Sequence, residues 1–192
     1  MRKRTLPDIL TPEEEFKLLS QFNKRYPTSY RNRTMVLLAQ NTGMRVGDLV
    51  NLQWEDIELD TGRCHLKNGK GAKDRVIFIR PNILSDMLDM SRKMGREPMG
   101  LVFTTLMGEP IKTPYLRKMI ADKAKKAGIG KRVHFHLLRH TYLTRLYAKT
   151  KDIRVVQEVA GHANISTTQI YTHVSGEDVR SAMLDGSISK YQ

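Results

Sequence analysis

The most informative stretch of the chain is His134-Phe135-His136-Leu137-Leu138-Arg139-His140-Thr141. We predict that it lies in a helix over residues 136–149, because apolar residues recur there at helical spacing. His136 and Arg139 are three positions apart, so on a helix they share a face and can bind one ligand. Imidazole and guanidinium groups are donors that suit the oxygens of a phosphate.

Two further segments contain side chains of the same chemical kind. Thr42-Gly43-Met44-Arg45-Val46-Gly47-Asp48-Leu49 places Arg45 at the start of a predicted short helix. A guanidinium there can direct a rigid fork of donors at a phosphate oxygen. The other segment is Gly161-His162-Ala163-Asn164-Ile165-Ser166-Thr167-Thr168-Gln169-Ile170-Tyr171-Thr172-His173. Together the three segments predict a phosphate-binding site.

Hydrophobic periodicity and turn residues predict a mainly α fold with a small antiparallel β-sheet, in the α+β class. Residues 56–60 and 63–67 alternate around Thr61-Gly62 and predict a hairpin, and residues 75–79 predict a third strand. A Gly-flanked basic turn, residues 68–73, joins the second and third strands. After an N-terminal helix, further helices are predicted at residues 30–41, 46–52, 82–94, 113–127, 136–149, 152–160 and 176–184.

The first helix has a clear start signal in Thr11-Pro12-Glu13-Glu14. Thr11 can cap the helix, Pro12 suits its first position, and Glu14 completes a capping box. Phe16, Leu19 and Phe22 follow at helical spacing and predict one buried face. Pro27 is predicted to end this helix, and Gly43 to end the next one.

Composition points to a polyanionic partner. The chain of 192 residues has 33 Lys and Arg against 20 Asp and Glu, a formal net charge of +13. Nucleic acid is the commonest partner of such a surface, and an anionic membrane is the next. No apolar run is long enough to span a bilayer, and the single Cys64 suits a reducing compartment. We therefore expect a cytoplasmic, nucleoid-associated protein without a membrane partner.

Basic residues cluster in two parts of the chain, and together they predict a groove that binds DNA phosphates. A charge run of this kind is also typical of a solvated helix face, which is the simpler interpretation for either cluster alone. The smaller cluster comprises Arg63, Lys67, Lys70, Lys73 and Arg75. The larger one comprises Lys112, Arg117, Lys118, Lys123, Lys125, Lys126, Lys131 and Arg132.

From about Leu10 onward, the chain resembles the catalytic domain of the tyrosine recombinases, the phage integrase family. The resemblance lies in motifs that follow one another in the family's order. They are T-G-x-R-x-x-[DE]-L around Arg45, a lysine in a β-turn, H-x-L-R-H around Arg139, and G-H-x-x-x-x-T-T-x-x-Y-x-H from Gly161. The separations of Arg139, His162 and Tyr171 also fit the family.

The resemblance implies a DNA strand-exchange enzyme with Tyr171 as its nucleophile. Tyr171 attacks the scissile phosphate, forms a 3′-phosphotyrosyl link and frees a 5′-hydroxyl. Because the link conserves the phosphodiester energy, rejoining needs no ATP, and no cofactor is expected. Arg45 and Arg139 stabilise the charge on the non-bridging oxygens, and His162 adds a hydrogen bond to the same phosphate.

The same resemblance assigns the remaining site residues. His136 is the acceptor of the tyrosine proton or a partner of the phosphate. Lys70 is the general acid for the leaving 5′-oxygen, and Lys73 is the alternative. Asp48 braces the arginines. We expect further contacts to double-stranded DNA from Lys73 and from Arg117, Lys118, Lys125, Lys126 and Arg132.

Other interpretations of these residues stay open at this stage. A type IB topoisomerase shares the tyrosine chemistry, and a non-catalytic DNA-binding protein could keep the fold. His134, His136 and His140 could suggest a metal, but no Cys or carboxylate joins them at ligand spacing, so we expect none. Tyr142 and Tyr147 are predicted to pack within the domain.

Family members commonly carry a DNA-clamping domain before the catalytic one. About ten residues precede the capping box here, so the chain is either an isolated catalytic fragment or a short single-domain member. We expect a basic arm over residues 1–10, a catalytic domain over residues 11–192, and no separate clamp. Residues 174–184 predict an amphipathic helix with Val179, Ala182 and Met183 on its apolar stripe. The stripe could pack on its own domain or, by resemblance, dock on a neighbouring subunit, and we expect a tetramer on paired DNA sites.

Overall fold

In the computed structural model, residues 9–67 and 74–161 are described, and they form seven α-helices and two β-strands. The helices that precede the strands are α1 (Pro12–Leu19), α2 (Pro27–Thr42) and α3 (Val46–Asn51). A 3₁₀ turn at Trp54–Asp56 leads to the strands β1 (Arg63–Leu66) and β2 (Arg75–Phe78). The helices that follow are α4 (Pro81–Lys93), α5 (Thr113–Lys126), α6 (Phe135–Thr150) and α7 (Ile153–Ala160).

Helix α2 is the centre of the domain. It contacts α1, α3, α4 and α6, and it is buried almost all round, as expected for a helix surrounded by others. Met35, Val36, Leu38 and Ala39 are all fully buried within the main hydrophobic core. Helix α4 packs on one side of α2, and its Met87 and Met90 are buried in the core.

The first helix starts as predicted but buries a different face. The Thr11 Oγ1 atom accepts a hydrogen bond from Glu14 N, and the Glu14 carboxylate accepts one from Thr11 N, so the capping box is complete. The helix ends at Leu19, and Pro27 begins α2, so the prediction that Pro27 ends the first helix is wrong. Leu18 is buried, whereas Phe16 is 73% exposed, so the prediction that Phe16 packs inward is wrong.

The sheet has two strands in the described part of the chain, where three were predicted. Strands β1 and β2 pair antiparallel with Cys64 opposite Ile77, and both of these side chains are buried. Residues 56–60 form no strand, because the 3₁₀ turn occupies their start and only Ile57 bridges to Cys64. Cys64 is a core residue, and its burial raises the pKa of the thiol to about 12.

The segment before α1 is fixed along α6. The Leu10 N–H donates to Thr141 Oγ1 at 3.0 Å, and Leu10 O accepts from Arg145 Nη2 at 2.6 Å. Ile9 O accepts from Lys131 Nζ at 2.8 Å. The segment that precedes α1 is therefore hydrogen-bonded to the helix that carries the His136–Arg139 motif. None of the helices described in residues 9–161 is long and apolar enough to cross a membrane.

Candidate active site

Arg139 lies on the first turns of α6 and is only 2% exposed. Its Nη1 atom donates to Gly43 O at 2.7 Å, and its Nη2 atom donates to Ala160 O at 2.7 Å. One buried guanidinium thus joins the end of α2 to the end of α7. Hydrogen bonds from a charged donor are about twice as strong as neutral ones, so Arg139 fixes the relation between these helix ends.

The carboxyl end of α7 binds three guanidinium groups on three successive carbonyl oxygens. Arg75 Nε donates to Val159 O at 3.1 Å, and Arg45 Nη2 donates to Gly161 O at 3.0 Å. Arg139 takes the carbonyl between them, that of Ala160. The last carbonyls of a helix lack intrahelical partners and carry partial negative charge, so cations are favoured there. We call this arrangement of Arg45, Arg75 and Arg139 the arginine cluster.

Helices α2 and α7 both end in a glycine against which another side chain packs closely. Gly43 ends α2 and Gly161 ends α7, and both have the left-handed backbone that favours glycine, with φ values of +65° and +60°. A Cβ atom on Gly43 would lie 2.7 Å from the Tyr142 ring, and one on Gly161 would lie 2.8 Å from Cδ of Arg75. Larger residues at either position would displace the side chains that pack there.

Asp48 connects two members of the arginine cluster. Its Oδ2 atom accepts a hydrogen bond from the backbone N–H of Arg45 at 2.9 Å and forms an ion pair with Arg75. Asp48 was predicted to brace the arginines, and it contacts the main chain of one and the side chain of another. The set of three guanidiniums and this carboxylate has a surplus of positive charge, which suits a phosphate ligand.

His136 is exposed on the first turn of α6 and stacks with His134. The two ring centroids are 6.3 Å apart, and the rings are inclined by 16°. His134 caps the helix, since its Nδ1 atom accepts a hydrogen bond from Leu137 N at 3.1 Å. Burial, together with the nearby His136 and Arg132, lowers the pKa of His134. The cap therefore requires the neutral imidazole, because a protonated Nδ1 cannot accept.

This cap predicts a pH-dependent stability. The pKa of His134 is lower in the folded state than its ordinary value of 6.5, so the stabilisation is complete above pH 6.5 and is lost as pH falls through the folded pKa. Asn is one of the preferred residues at a helix N-cap and does not titrate. We expect the melting temperature of the His134→Asn variant to fall less than that of the wild type between pH 7.5 and about pH 5.

Thermal unfolding monitored by circular dichroism across this pH range measures the difference. A matched control is Thr11→Asn, which also places asparagine at a helix cap but removes no imidazole. The control should retain the pH dependence of the wild type. Parallel curves for the wild type and His134→Asn would show that the cap does not titrate in this range.

Helix α5 presents the predicted DNA-binding residues to solvent. Its buried side is apolar, whereas Arg117, Lys118, Lys125 and Lys126 are exposed, as is Arg132 in the loop that follows. Two other lysines of the basic cluster turn inward. Lys123 Nζ donates to Gln21 O at 2.7 Å, and Lys131 pairs with Glu14. These two lysines stabilise the fold and are not available to a groove.

The smaller basic cluster is also divided between surface and interior. Arg63 and Lys67 are exposed and pair with Glu58 and Asp56. Arg75 is buried and pairs with Asp48, so it differs from the exposed members of this cluster. The predicted residues Lys70, Lys73, His162 and Tyr171 lie outside the described residues. His162 directly follows Gly161 in the sequence, and Lys70 lies in the gap between β1 and β2.

Solved structures of tyrosine recombinases have this fold. The crystal structure of XerA recombinase matches 98% of the chain with a TM-score of 0.77 and 30% identity, over 67% of its own length. The catalytic domain of bacteriophage HP1 integrase matches 96% of the chain with a TM-score of 0.66, over 98% of its own length. Its identity of 21% shows the fold alone. The predicted fold class is thereby confirmed as that of a tyrosine recombinase catalytic domain.

The sequence matches the phage integrase family over residues 9–178. Tyrosine recombinase XerD of Staphylococcus saprophyticus is 37% identical over 182 residues, which are 92% of this chain and 61% of the relative. Tyrosine recombinase XerA of Thermococcus kodakarensis is 40% identical, over 93% of this chain and 62% of the relative. The chain belongs to the phage integrase family. It spans about three fifths of the length of these relatives.

Proposed function

We propose that this chain cuts and rejoins DNA strands as a site-specific tyrosine recombinase. Tyr171 attacks the scissile phosphate, and the strand is held as a 3′-phosphotyrosyl intermediate until a 5′-hydroxyl from the partner strand reverses the step. The bond to the 5′-oxygen breaks as the bond to the tyrosine forms, so no external energy source is consumed. The related XerH site-specific recombinase, 29% identical, has been solved bound to its difH substrate, which supports the proposal.

The arginine cluster at the end of α7 carries this proposal. Arg45 and Arg139 come from distant parts of the chain, yet both donate to adjacent carbonyls, those of Gly161 and Ala160. His162 follows these carbonyls directly in the sequence. A guanidinium has five N–H donors in a planar fork, which allows it to bind protein carbonyls and phosphate oxygens together. Donors that are already oriented stabilise the charge of a pentacoordinate transition state without reorganisation.

The remaining roles follow from proton transfer. The tyrosine hydroxyl loses a proton as it attacks, and we assign its acceptance to His136, an exposed imidazole three residues before Arg139 on α6. The leaving 5′-oxygen gains a proton, and we assign its donation to Lys70, with Lys73 as the alternative. His162 donates a hydrogen bond to the phosphate. Asp48 acts on none of the reacting atoms and holds Arg45 and Arg75 in place.

A suicide duplex tests the proposal. DNA sites are first selected from host genomic fragments that the chain binds, and a nick is then placed next to the cleavage position. A covalent complex on a denaturing gel shows an enzyme, whereas a non-catalytic DNA-binding protein yields none. Strand exchange between two such sites distinguishes a recombinase from a type IB topoisomerase, which would relax supercoiled DNA and exchange no strands.

DNA affinity is expected to depend steeply on salt if α5 lies along the phosphates. Each phosphate neutralised by a lysine or arginine contributes about 0.9 to the slope of log affinity against log salt concentration. Lys125 and Lys126 are exposed at the end of α5. Replacing both by Ala should reduce the slope by about 1.8, measured by fluorescence anisotropy between 50 and 300 mM salt.

The matched control is the double variant Lys17→Ala with Lys93→Ala. These exposed lysines lie on α1 and α4, so the control changes the net charge equally but leaves α5 intact. Its slope should remain that of the wild type. Equal losses of slope in the two double variants would indicate a general charge effect and contradict a groove along α5.

We propose further that the protein assembles as a tetramer on paired DNA sites and associates with the nucleoid. Residues 174–184, with the apolar stripe Val179, Ala182 and Met183, are the proposed contact between neighbouring subunits. Truncation at Gly176 should then reduce synapsis of two sites more than binding to one site. Gel-shift titrations with one and two sites separate these effects, and equal losses would contradict the assembly role.

A further inference from the structure

Among the described arginines that form an ion pair, Arg75 has the most buried side chain, with 1% of its surface exposed. It is the first residue of β2, and its guanidinium extends away from the sheet to two helices. One edge pairs with Asp48 on α3, and Nε donates to Val159 O at the end of α7 at 3.1 Å. A buried charge is costly unless it is paired and hydrogen-bonded, so this side chain has a defined place.

Each contact of Arg75 leads to a different part of the proposed active site. Asp48 also accepts a hydrogen bond from the backbone N–H of Arg45 at 2.9 Å, so a shift of Asp48 would move this arginine as well. Val159 precedes the carbonyls that bind Arg139 and Arg45. The strand that carries Arg75 begins two residues after the basic turn of residues 68–73, which contains Lys70. A single guanidinium therefore connects α3 to the end of α7, and it belongs to a residue five positions after Lys70 in the chain.

The packing of Gly161 adds an independent constraint. Its missing Cβ atom would lie 2.8 Å from Cδ and 3.3 Å from Nη1 of Arg75. The backbone at the end of α7 therefore lies directly against the Arg75 side chain. A lysine at position 75 could keep the ion pair with Asp48. It could not make both contacts, because an ammonium is a point charge without a planar fork.

We propose that Arg75 is a positioning residue for DNA cleavage. It holds the end of α7, with His162 next in the chain, against the segment that presents Arg45, and it anchors the strand that follows Lys70. Arg75 touches none of the reacting atoms in this arrangement. Its loss shifts groups that do, and a misplacement of about 1 Å can slow a reaction about 100-fold. The inference rests on the proposed tyrosine chemistry.

Single-turnover cleavage of the suicide duplex tests the inference with two variants. Arg75→Met keeps the length of the side chain and removes its charge and donors. We expect the cleavage rate to fall about 100-fold while the dissociation constant for DNA changes less than about threefold. Arg75→Lys should recover part of the rate, because it keeps the pairing with Asp48. A variant that merely weakens the fold would not give this separation of rate from affinity.

The matched control is Arg33→Met. Arg33 on α2 forms an ion pair of 3.1 Å with Asp86 on α4, so the control also removes an arginine that bridges two elements, outside the site. Each protein is assayed at a temperature the same number of degrees below its own melting point. Under these conditions Arg33→Met should cleave at the rate of the wild type. Equal slowing in Arg33→Met and Arg75→Met, or a rate for Arg75→Met within about threefold of the wild type, would overturn the inference.

A double variant tests the route through Asp48. If Arg75 and Asp48 act as one unit, Arg75→Met combined with Asp48→Asn should be about as slow as the slower single variant. Effects that multiply would show independent action and contradict this route. A wild type that forms no covalent adduct would instead refute the proposed tyrosine chemistry, so the two failures are distinct.

Discussion

The Tyr171→Phe variant is expected to form no covalent adduct with a suicide duplex. Phenylalanine keeps the ring and removes only the attacking oxygen, and loss of a nucleophile can lower a rate on the order of 10⁶-fold. DNA affinity should stay within about threefold of the wild type, because binding depends on basic residues instead. Denaturing gels detect the adduct, and anisotropy titrations measure the affinity.

Tyr147→Phe is the matched control for this substitution. Tyr147 is a half-buried tyrosine of α6 that packs in a small apolar cluster with Leu143 and Val156. This variant should form the adduct at the wild-type rate. An adduct that persists in Tyr171→Phe would assign the nucleophile to another tyrosine. Tyr142 is poorly suited, since burial raises its pKa and its ring packs against Gly43.

Two helix boundaries were predictable because residues close in sequence determine them. The capping box of Thr11 and Glu14 depends on residues three positions apart, and the left-handed Gly43 ends α2 through its own backbone. Neither feature needs tertiary context. The burial of individual positions does need it, and Phe16 lies at the predicted apolar spacing but faces solvent because no element of the described chain covers it.

The strand predicted over residues 56–60 was wrong for a related reason. Residues 56–60 alternate in polarity as a strand does, but alternation describes a half-buried surface and not a ladder of hydrogen bonds. The chain turns sharply instead, with Gly62 N donating to Glu58 O at 2.8 Å and Ile57 N donating to Trp54 O at 3.0 Å. Hydrogen bonds between nearby backbone groups therefore form here instead of a ladder to a neighbouring strand.

Most residues of the proposed active site were predictable from the sequence, but the contacts that connect them were not. Arg45 and Arg139 stand in motifs that bind phosphate, whereas Arg75 looked like one more basic residue near a turn. Its role depends on Asp48 and Val159, which are 27 and 84 positions away in the chain. A salt bridge between such distant residues leaves no periodic signal. The close packing of Gly161 against the Arg75 side chain is likewise visible only in the structure.

The Lys70→Ala variant is expected to slow cleavage of ordinary DNA by about 10²- to 10⁴-fold, the usual contribution of a general acid. The leaving 5′-oxygen departs as an unstable alkoxide unless it is protonated as the bond breaks. Sulfur in place of this bridging oxygen leaves readily without a proton. A duplex with a 5′-bridging phosphorothiolate should therefore restore most of the rate to the variant, measured by single-turnover adduct formation on both duplexes.

Lys73→Ala is the matched control, because it removes a second lysine from the same basic turn. If Lys73 contacts only the DNA backbone, its loss should weaken binding, and the sulfur substrate should not restore what is lost. Recovery of Lys73→Ala by sulfur, with Lys70→Ala unaffected by it, would transfer the role of the acid to Lys73. Loss of cleavage in Lys70→Ala that sulfur does not restore would place Lys70 on the phosphate, alongside Arg45 and Arg139, instead of on the leaving group.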